Sequence, residues 1–194
     1  VTRLLLTRHG QSEWNADGRW QGQADPPLTD LGRSQALHAA KAIGTIDAVH
    51  CSPLQRAAAT AHLIAEELGV GPVMADEGLA ERCAGEWEGL TRAEIEDLYP
   101  GFLSDGRRPP GWEDDTLVEQ RVFDSLDRIA RLHPRSDVLA VAHAGVIFAV
   151  ERALGAPWER LANLGGRWLE HGGDGWALGP RVHLLVEETI PDQL

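Results

Sequence analysis

The sequence predicts a layered α/β domain with a largely parallel sheet, and three observations carry that prediction. Short apolar runs of strand character alternate with segments of helical periodicity along the chain. No internal repeat, low-complexity tract or linker interrupts them. The residues with chemical reach fall directly after the runs, where such folds keep their sites, at the carboxyl ends of strands.

Taken in order, residues 3–7 form the first strand. A helix over 31–43 follows, with apolar residues at 36, 37, 40 and 43. A second short strand covers 47–51. The alanine-rich stretch 54–68 reads as a helix, with Pro53 suited to its first turn and Gly69 to its stop. A weak third strand spans 72–75. Leu117, Val118, Val122, Leu126, Ile129 and Leu132 sit near helical spacing and predict a helix over 117–132, ended by Pro134. Residues 137–142 form a strong fourth strand, followed by a helix over 146–154 that stops at Gly155. A fifth strand is expected over 181–186, with one or two more around 167–170 and 176–178.

The length of 194 residues fits one domain, spanning 1–194, and needs no disulfide or metal staple. No apolar run approaches the roughly 18 residues of a membrane span. The apolar core of Val1-Thr2-Arg3-Leu4-Leu5-Leu6-Thr7-Arg8 is too short for a signal peptide and runs straight into candidate site residues. Cys51 and Cys83 are too few for a disulfide framework, and a reducing cytoplasm suits them. Lys plus Arg is 18 against 30 Asp plus Glu, a net charge of −12, and Arg107-Arg108 is the one adjacent basic pair. That balance argues against nucleic acid and membrane surfaces as partners. Lys41 is the single lysine. GC-rich coding explains such a bias as readily as the fork geometry of arginine for phosphate oxygens does.

Thr7-Arg8-His9-Gly10 follows the first strand, with Ser12 and Asn15 close behind. Ser52-Pro53-Leu54-Gln55-Arg56 follows the second, and His143-Ala144-Gly145 the fourth. Convergence of these segments would set two guanidinium forks and two imidazoles around one anion, with helix N-termini adding backbone N–H groups. The chemistry suited to that set is phosphoryl transfer through a histidine. A neutral imidazole attacks phosphorus while guanidiniums neutralise the equatorial oxygens, so neither metal nor cofactor is called for. A general acid must protonate the leaving alkoxide and then activate water, and Glu81 is the candidate.

Five ordered blocks are similar to the histidine phosphatase superfamily, also called phosphoglycerate mutase-like. They are Arg8-His9-Gly10 with Asn15; the run from Gln21-Gly22 through Asp25 and Leu28-Thr29 to Gly32; Ser52 to Arg56-Ala57 and Thr60; Glu81 with Gly85, Trp87, Glu88 and Gly89; and His143. The resemblance covers about residues 3 to 150 and implies a three-layer α/β/α sandwich around a mostly parallel mixed sheet. It implies His9 as phospho-accepting nucleophile and Arg8, Arg56 and His143 as the rest of the phosphate pocket. Asn15, Gln21, Gly22 and the N–H of Ala144 would be further phosphate contacts, and Glu81 the proton donor. A small phosphorylated metabolite is the expected substrate; sugar phosphates, phosphoglycerate derivatives, nucleotide or cofactor-precursor phosphates and small phosphoproteins all fit, since the sequence does not name the leaving group.

Departures from the family pattern bear on the substrate. Where many members read Gly-Glu-Ser before the long helix, this chain has Gly111-Trp112-Glu113-Asp114, which puts Trp112 in the expected pocket wall. Ala144 stands where many members have glycine and keeps the N–H. Members resembling the cofactor-dependent mutases carry a long basic insert after the Trp-Glu-Gly block and a closing tail. Here Gly89 reaches Gly111 in 22 residues and the tail 187–194 is short and acidic. A phosphatase is therefore favoured over a phosphoglycerate mutase. A catalytically silent phosphate-binding or scaffold protein is the alternative from another class.

Other residues carry plainer readings. Trp14 and Trp20 join Trp112 as candidates for an apolar substrate wall, while Trp87, Trp158, Trp168 and Trp176 read as core or edge packing. His38, His50, His62, His133, His171 and His183 lack metal-ligand spacing and read as solvated or structural. Cys51 and Cys83 lie near site residues, so their oxidation is a candidate disturbance. A homodimer through an edge strand or exposed tryptophans is left open.

Overall fold

The structure is a computed structural model and describes residues 1–186. Its strands are β1 (Thr2–Arg8), β2 (Ala48–Cys51), β3 (Val73–Ala75), β4 (Asp137–Ala142), β5 (Gly165–Gly172) and β6 (Gly175–His183). The helices are α1 (Glu13–Ala16), α2 (Asp30–Ile43), α3 (Gln55–Leu68), α4 (Arg92–Leu98), α5 (Phe102–Asp105), α6 (Asp115–Leu132) and α7 (Ala144–Ala153). The strands form one sheet in the order β3-β2-β4-β1-β5-β6. The first four are mutually parallel, and β5 and β6 add antiparallel at one side.

Period-two alternation splits the central strands between two cores. Leu4, Leu6, Val138, Ala140 and Ala142 face α6 and α7 through Val122, Leu126, Ile129, Val146, Ile147 and Val150. Leu5, Val49, Leu139 and Val141 face the opposite way, onto Ala36, Ala39 and Ala40 of α2 and Ala57, Ala61 and Ile64 of α3. Because both faces are covered, β1 and β4 read as nearly continuous apolar runs. Fully burying one such leucine is worth about 1.5–3 kcal/mol. The result is the expected α/β/α sandwich.

Register places the functional edge. Arg8 pairs with Ala142 and Cys51 with Val141 across parallel ladders. The next residues, His9, His143 and Ser52, therefore leave the sheet side by side at one edge.

Several boundaries differ from the sequence reading. Helix α3 begins at Gln55 with Leu54 as its N-cap, so Pro53 lies before the helix rather than in its first turn. Gly69 does end it, at φ 67°. Helix α7 begins at Ala144, immediately after the strand, because His143 itself is the N-cap. The expected strands at 176–178 and 181–186 are one strand, β6, which ends at His183; strand β5 extends well beyond 167–170. Helices α1, α4 and α5 were not anticipated. Both α1 and α4 are announced by capping boxes, Ser12 with Asn15 and Thr91 with Glu94. The short acidic tail at 187–194 lies outside the described residues. Among the described residues no helix is long and apolar enough to cross a membrane.

Candidate active site

The edge where β1, β2 and β4 end opens into a cavity of about 760 Å³. Arg8, His9, Gln21, Gly22, Glu81 and Ala144 line it. Arg56 and His143 lie wholly buried beneath, and Asn15 is buried beside them.

Two hydrogen bonds set the state of His9. Its Nδ1 lies 2.6 Å from the carbonyl oxygen of Gly10. A carbonyl only accepts, so Nδ1 carries the proton. Arg56 Nε donates to His9 Nε2 at 3.3 Å, so that nitrogen presents its lone pair. The ring of His143 stands edge-on to His9, with centroids 5.2 Å apart. His143 Nε2 is 2.7 Å from Ser52 Oγ, and that hydroxyl oxygen accepts from Leu54 N.

The cations are fixed by carbonyls rather than by acids. Arg8 Nη1 donates to Leu161 O at 2.7 Å. Arg56 Nη1 and Nη2 donate to Ala24 O and Gly22 O at 2.7 and 2.8 Å. Among the described residues neither guanidinium is paired with a carboxylate, as an anion site requires. Burial pushes both guanidiniums down to about 10, with nearby Glu81 opposing the shift, and they stay cationic at neutral pH. Arg8 Nε, His143 Nδ1 and Asn15 Nδ2 are buried and bond to no group among the described residues. Buried polar atoms are usually paired, so three orphans around one cavity mark where a polar ligand would be received.

The loops follow from local chemistry. Thr60, one turn into α3, donates to Arg56 O and accepts from Gly10 N, tying the Arg56 turn to the His9 loop. Ser12 caps α1 and also donates to Gln21 Oε1, which orients that side chain. Gly22 adopts φ 51°, and a Cβ there would fall 2.2 Å from Glu88 Oε1. That close approach lets Glu88 accept from Gln23 N and Ala84 N, joining two walls of the cavity. Asn163 donates to His9 O and to Asn15 Oδ1.

Glu81 reaches the cavity from the opposite wall. Its Oε1 accepts from Arg82 N at 2.7 Å and its Oε2 from Gly145 N at 3.2 Å. A Cβ on residue 145 would fall 2.3 Å from that carboxylate and push it aside, so glycine lets Glu81 lie against the start of α7.

The tryptophans divide differently from the sequence reading. Trp20 and Trp112 do line the cavity and pack edge-to-face with buried Trp87 at 5.3 and 5.6 Å. Trp14 does not line it; its indole covers Gly89. Trp158, read as packing, lines the cavity mouth instead and is 64% exposed, tilted against Phe148. No local pattern distinguishes such a loop tryptophan from a buried one. His50 and His133, far apart in sequence, meet at 2.9 Å between their Nε2 atoms and form a structural pair. Cys51 is buried, which pushes its thiol up to about 11 and makes it a poor target for oxidation. The sequence reading missed Ser52 as the partner of His143 and the Leu161 carbonyl as the anchor of Arg8. The second is invisible in sequence because any residue type carries that carbonyl.

Burial, then Arg56 and Arg8, hold His9 well below the ordinary value of 6.5. Burial, then Arg56, His9 and Arg8, do the same to His143, and burial with His133 brings His50 to about 4. Below pH 6.5 the unfolded chain binds protons at these rings that the folded chain refuses. These groups therefore leave stability unchanged above about pH 7. They cost up to about 1.4 kcal/mol per histidine per pH unit as pH falls through the unfolded value toward the depressed folded ones. Thermal unfolding is expected to shift steeply downward between about pH 6.5 and 5, with a shallower slope in His143→Asn. A wild-type Tm that stays flat over that interval would refute the assignment.

Fold and site together define a three-layer α/β protein with two buried guanidiniums and two imidazoles gathered at a cavity at its parallel strand ends. The chain belongs to the histidine phosphatase superfamily (branch 1), whose family model matches residues 4–179. A glucosyl-3-phosphoglycerate phosphatase of Mycolicibacterium vanbaalenii is 38% identical over 182 residues, covering 86% of this chain and 80% of the relative. A metal-independent phosphoserine phosphatase of Arabidopsis thaliana is 37% identical over 160 residues, covering 77% and 67%. Among solved structures, a mycobacterial glucosyl-3-phosphoglycerate phosphatase with VO3 superposes with a TM-score of 0.83 at 30% identity, covering 92% of this chain and 97% of that one.

Proposed function

We propose that this protein is a metal-independent phosphatase that hydrolyses small organic phosphomonoesters through a phosphohistidine at His9. The observation that carries the reading is the tautomer of His9: Nδ1–H is held by Gly10 O, and the Nε2 lone pair sits in the cationic cavity. In this reading His9 Nε2 attacks phosphorus, the P–N bond forms, and the bond to the leaving oxygen breaks opposite it. Arg8, Arg56, His143, Asn15, Gln21 and the N–H groups of Gly22 and Ala144 receive the three equatorial oxygens. Glu81 gives its proton to the departing alkoxide. As a carboxylate it then takes a proton from the water that attacks the phosphohistidine, which restores the acid and frees inorganic phosphate.

The cavity is far larger than a phosphate. Beyond the cationic floor, Trp20, Trp112, Phe148 and Trp158 form its wall with Arg82, Arg108, Arg152, Asp114 and Asp115. Arg108 lies 4.9 Å over the Trp112 ring and 5.8 Å over Trp87. A mixed aromatic and charged wall suits a polar leaving group of metabolite size, with Trp112 as the substrate wall. The relatives' names, glucosyl-3-phosphoglycerate phosphatase and phosphoserine phosphatase, point to esters of that scale. The whole chain acts as one histidine phosphatase domain in this reading, and its free cysteines suit the cytoplasm.

The test is phosphate release from a panel of metabolite phosphomonoesters with EDTA present. Release undiminished by EDTA is expected, with an acid-labile, alkali-stable phosphoenzyme trapped after a rapid quench. Release abolished by EDTA, or a phosphoenzyme stable to acid, would overturn the reading. Phosphoryl transfer between positions of a phosphoglycerate, in place of release, would return weight to a mutase.

A further inference from the structure

We propose that Arg121 and Glu113 form a positioning pair that aims the Glu81 carboxyl at the leaving oxygen. The proposal rests on the reading of Glu81 as the general acid.

Glu81 belongs to a loop without regular structure between two 3-10 turns, Glu77–Leu79 and Gly85–Trp87. A loop so placed has no ladder of its own to fix a carboxyl within the few tenths of an ångström that proton transfer needs. Arg82 N and Gly145 N hold the carboxylate itself, and the loop's backbone is fixed by Arg121 of α6 and by Glu113 just before that helix. Arg121 Nη1 donates to the carbonyls of Gly78 and Ala80, at 2.9 and 2.7 Å, directly before Glu81. The other side of its fork, Nε and Nη2, meets both carboxylate oxygens of Glu113 at 2.7 and 2.9 Å. Glu113 in turn grips the chain directly after Glu81. Its Oε2 accepts from Cys83 N, its N–H donates to Cys83 O, and its carbonyl accepts from Arg82 Nη1 at 2.8 Å. The backbone on both sides of Glu81 is thus held by one bidentate ion pair, and neither member lines the cavity. Lysine cannot reproduce this arrangement, because it offers three donors from one point where two carbonyls and a carboxylate are met by a planar fork.

A positioning residue for the acid affects only bonds that need a proton to break. The probes are glycerol 3-phosphate, whose alkoxide leaves poorly, and 4-nitrophenyl phosphate, whose phenolate leaves unaided. The ratio of kcat/KM for the two isolates the phosphorylation step. Arg121→Met is expected to lower kcat/KM about 10–100-fold on the alkyl ester and only a few-fold on the aryl ester, as Glu81→Gln does. Arg121→Lys is expected to recover part of the loss. The double variant Glu81→Gln/Arg121→Met is expected to be no slower on the alkyl ester than Glu81→Gln alone. Glu113→Gln carries the same comparison if Arg121→Met does not fold, since it keeps the side chain's shape. Equal losses on both esters, or multiplying losses in the double variant, would show a merely structural pair and overturn the proposal. If Glu81→Gln itself shows no leaving-group selectivity, the acid assignment falls and the positioning role with it.

Discussion

Replacing His9 by alanine is expected to lower kcat/KM by at least about 10⁴-fold while leaving the protein folded. The size follows from the role: without Nε2 no P–N bond forms, and what remains is the cationic cavity acting on a bound ester and water. Foldedness follows from position. His9 is the first residue past β1, so its loss leaves the sheet register and both apolar clusters intact and removes only its bonds to Gly10 O and Arg56 Nε and its edge contact with His143. Arg8, Arg56 and His143 keep their anchors at Leu161 O, Ala24 O, Gly22 O and Ser52. Inorganic phosphate is therefore expected to raise the Tm of the variant as it does that of the wild type. Trapping with labelled substrate checks the chemistry: label stays on the wild-type chain after the quench and not on His9→Ala. A variant within tenfold of the wild-type rate would sink the phosphohistidine. Equal silence of both proteins, with phosphate still bound, would mark a binding protein instead of an enzyme.

The parts of this site that were legible in the sequence are those where chemistry demands a residue type. Arg8, His9 and His143 stand at strand ends, and Arg56 in the first turn of the helix after β2, because parallel register brings successive strand ends to one edge, and the proposed chemistry calls for charged or imidazole side chains there. The central strands were legible for the same kind of reason, since both faces are buried and the runs are apolar throughout. The antiparallel side was blurred. Strands β5 and β6 hold five glycines between them, and a register irregularity separates Arg167 from Leu169, so alternation is broken where the sequence reading looked for it. The support of the site was least legible. Leu161 O, Ala24 O and Gly22 O hold the two guanidiniums, and backbone carbonyls leave no trace in residue type. Arg121 and Glu113 leave side-chain traces, yet nothing in their spacing says that the pair spans the loop before and after Glu81.

Arg56→Met is expected to show that this cavity trades stability for function. In the wild type the guanidinium is fully buried, held down to about 10 by desolvation, and faces buried Arg8 without a paired acid. Replacing a desolvated charge by an apolar side chain of similar length is often neutral or stabilising. Here one term opposes that gain. The carbonyls of Gly22 and Ala24 lose their donors, at about 1–3 kcal/mol for each that water cannot reach. Relief of the repulsion with Arg8 offsets much of this, so the ligand-free Tm is expected to stay within about 5 °C of the wild type. Catalysis has no such offset. Removing one preorganised donor from a developing anion costs about 2.7–4 kcal/mol, a factor of about 10²–10³. Arg56 also delivers an N–H to His9 Nε2, which keeps that ring neutral and aligned. With both roles lost, kcat/KM is expected to fall by about 10³–10⁴. The rise in Tm that inorganic phosphate produces is expected to shrink with it, because stabilisation by a ligand scales with the logarithm of its affinity. The two readouts must separate. A variant that loses activity and ligand-free stability together would mean that Arg56 chiefly holds the loop at residues 22–24, and that its charge does not serve the substrate.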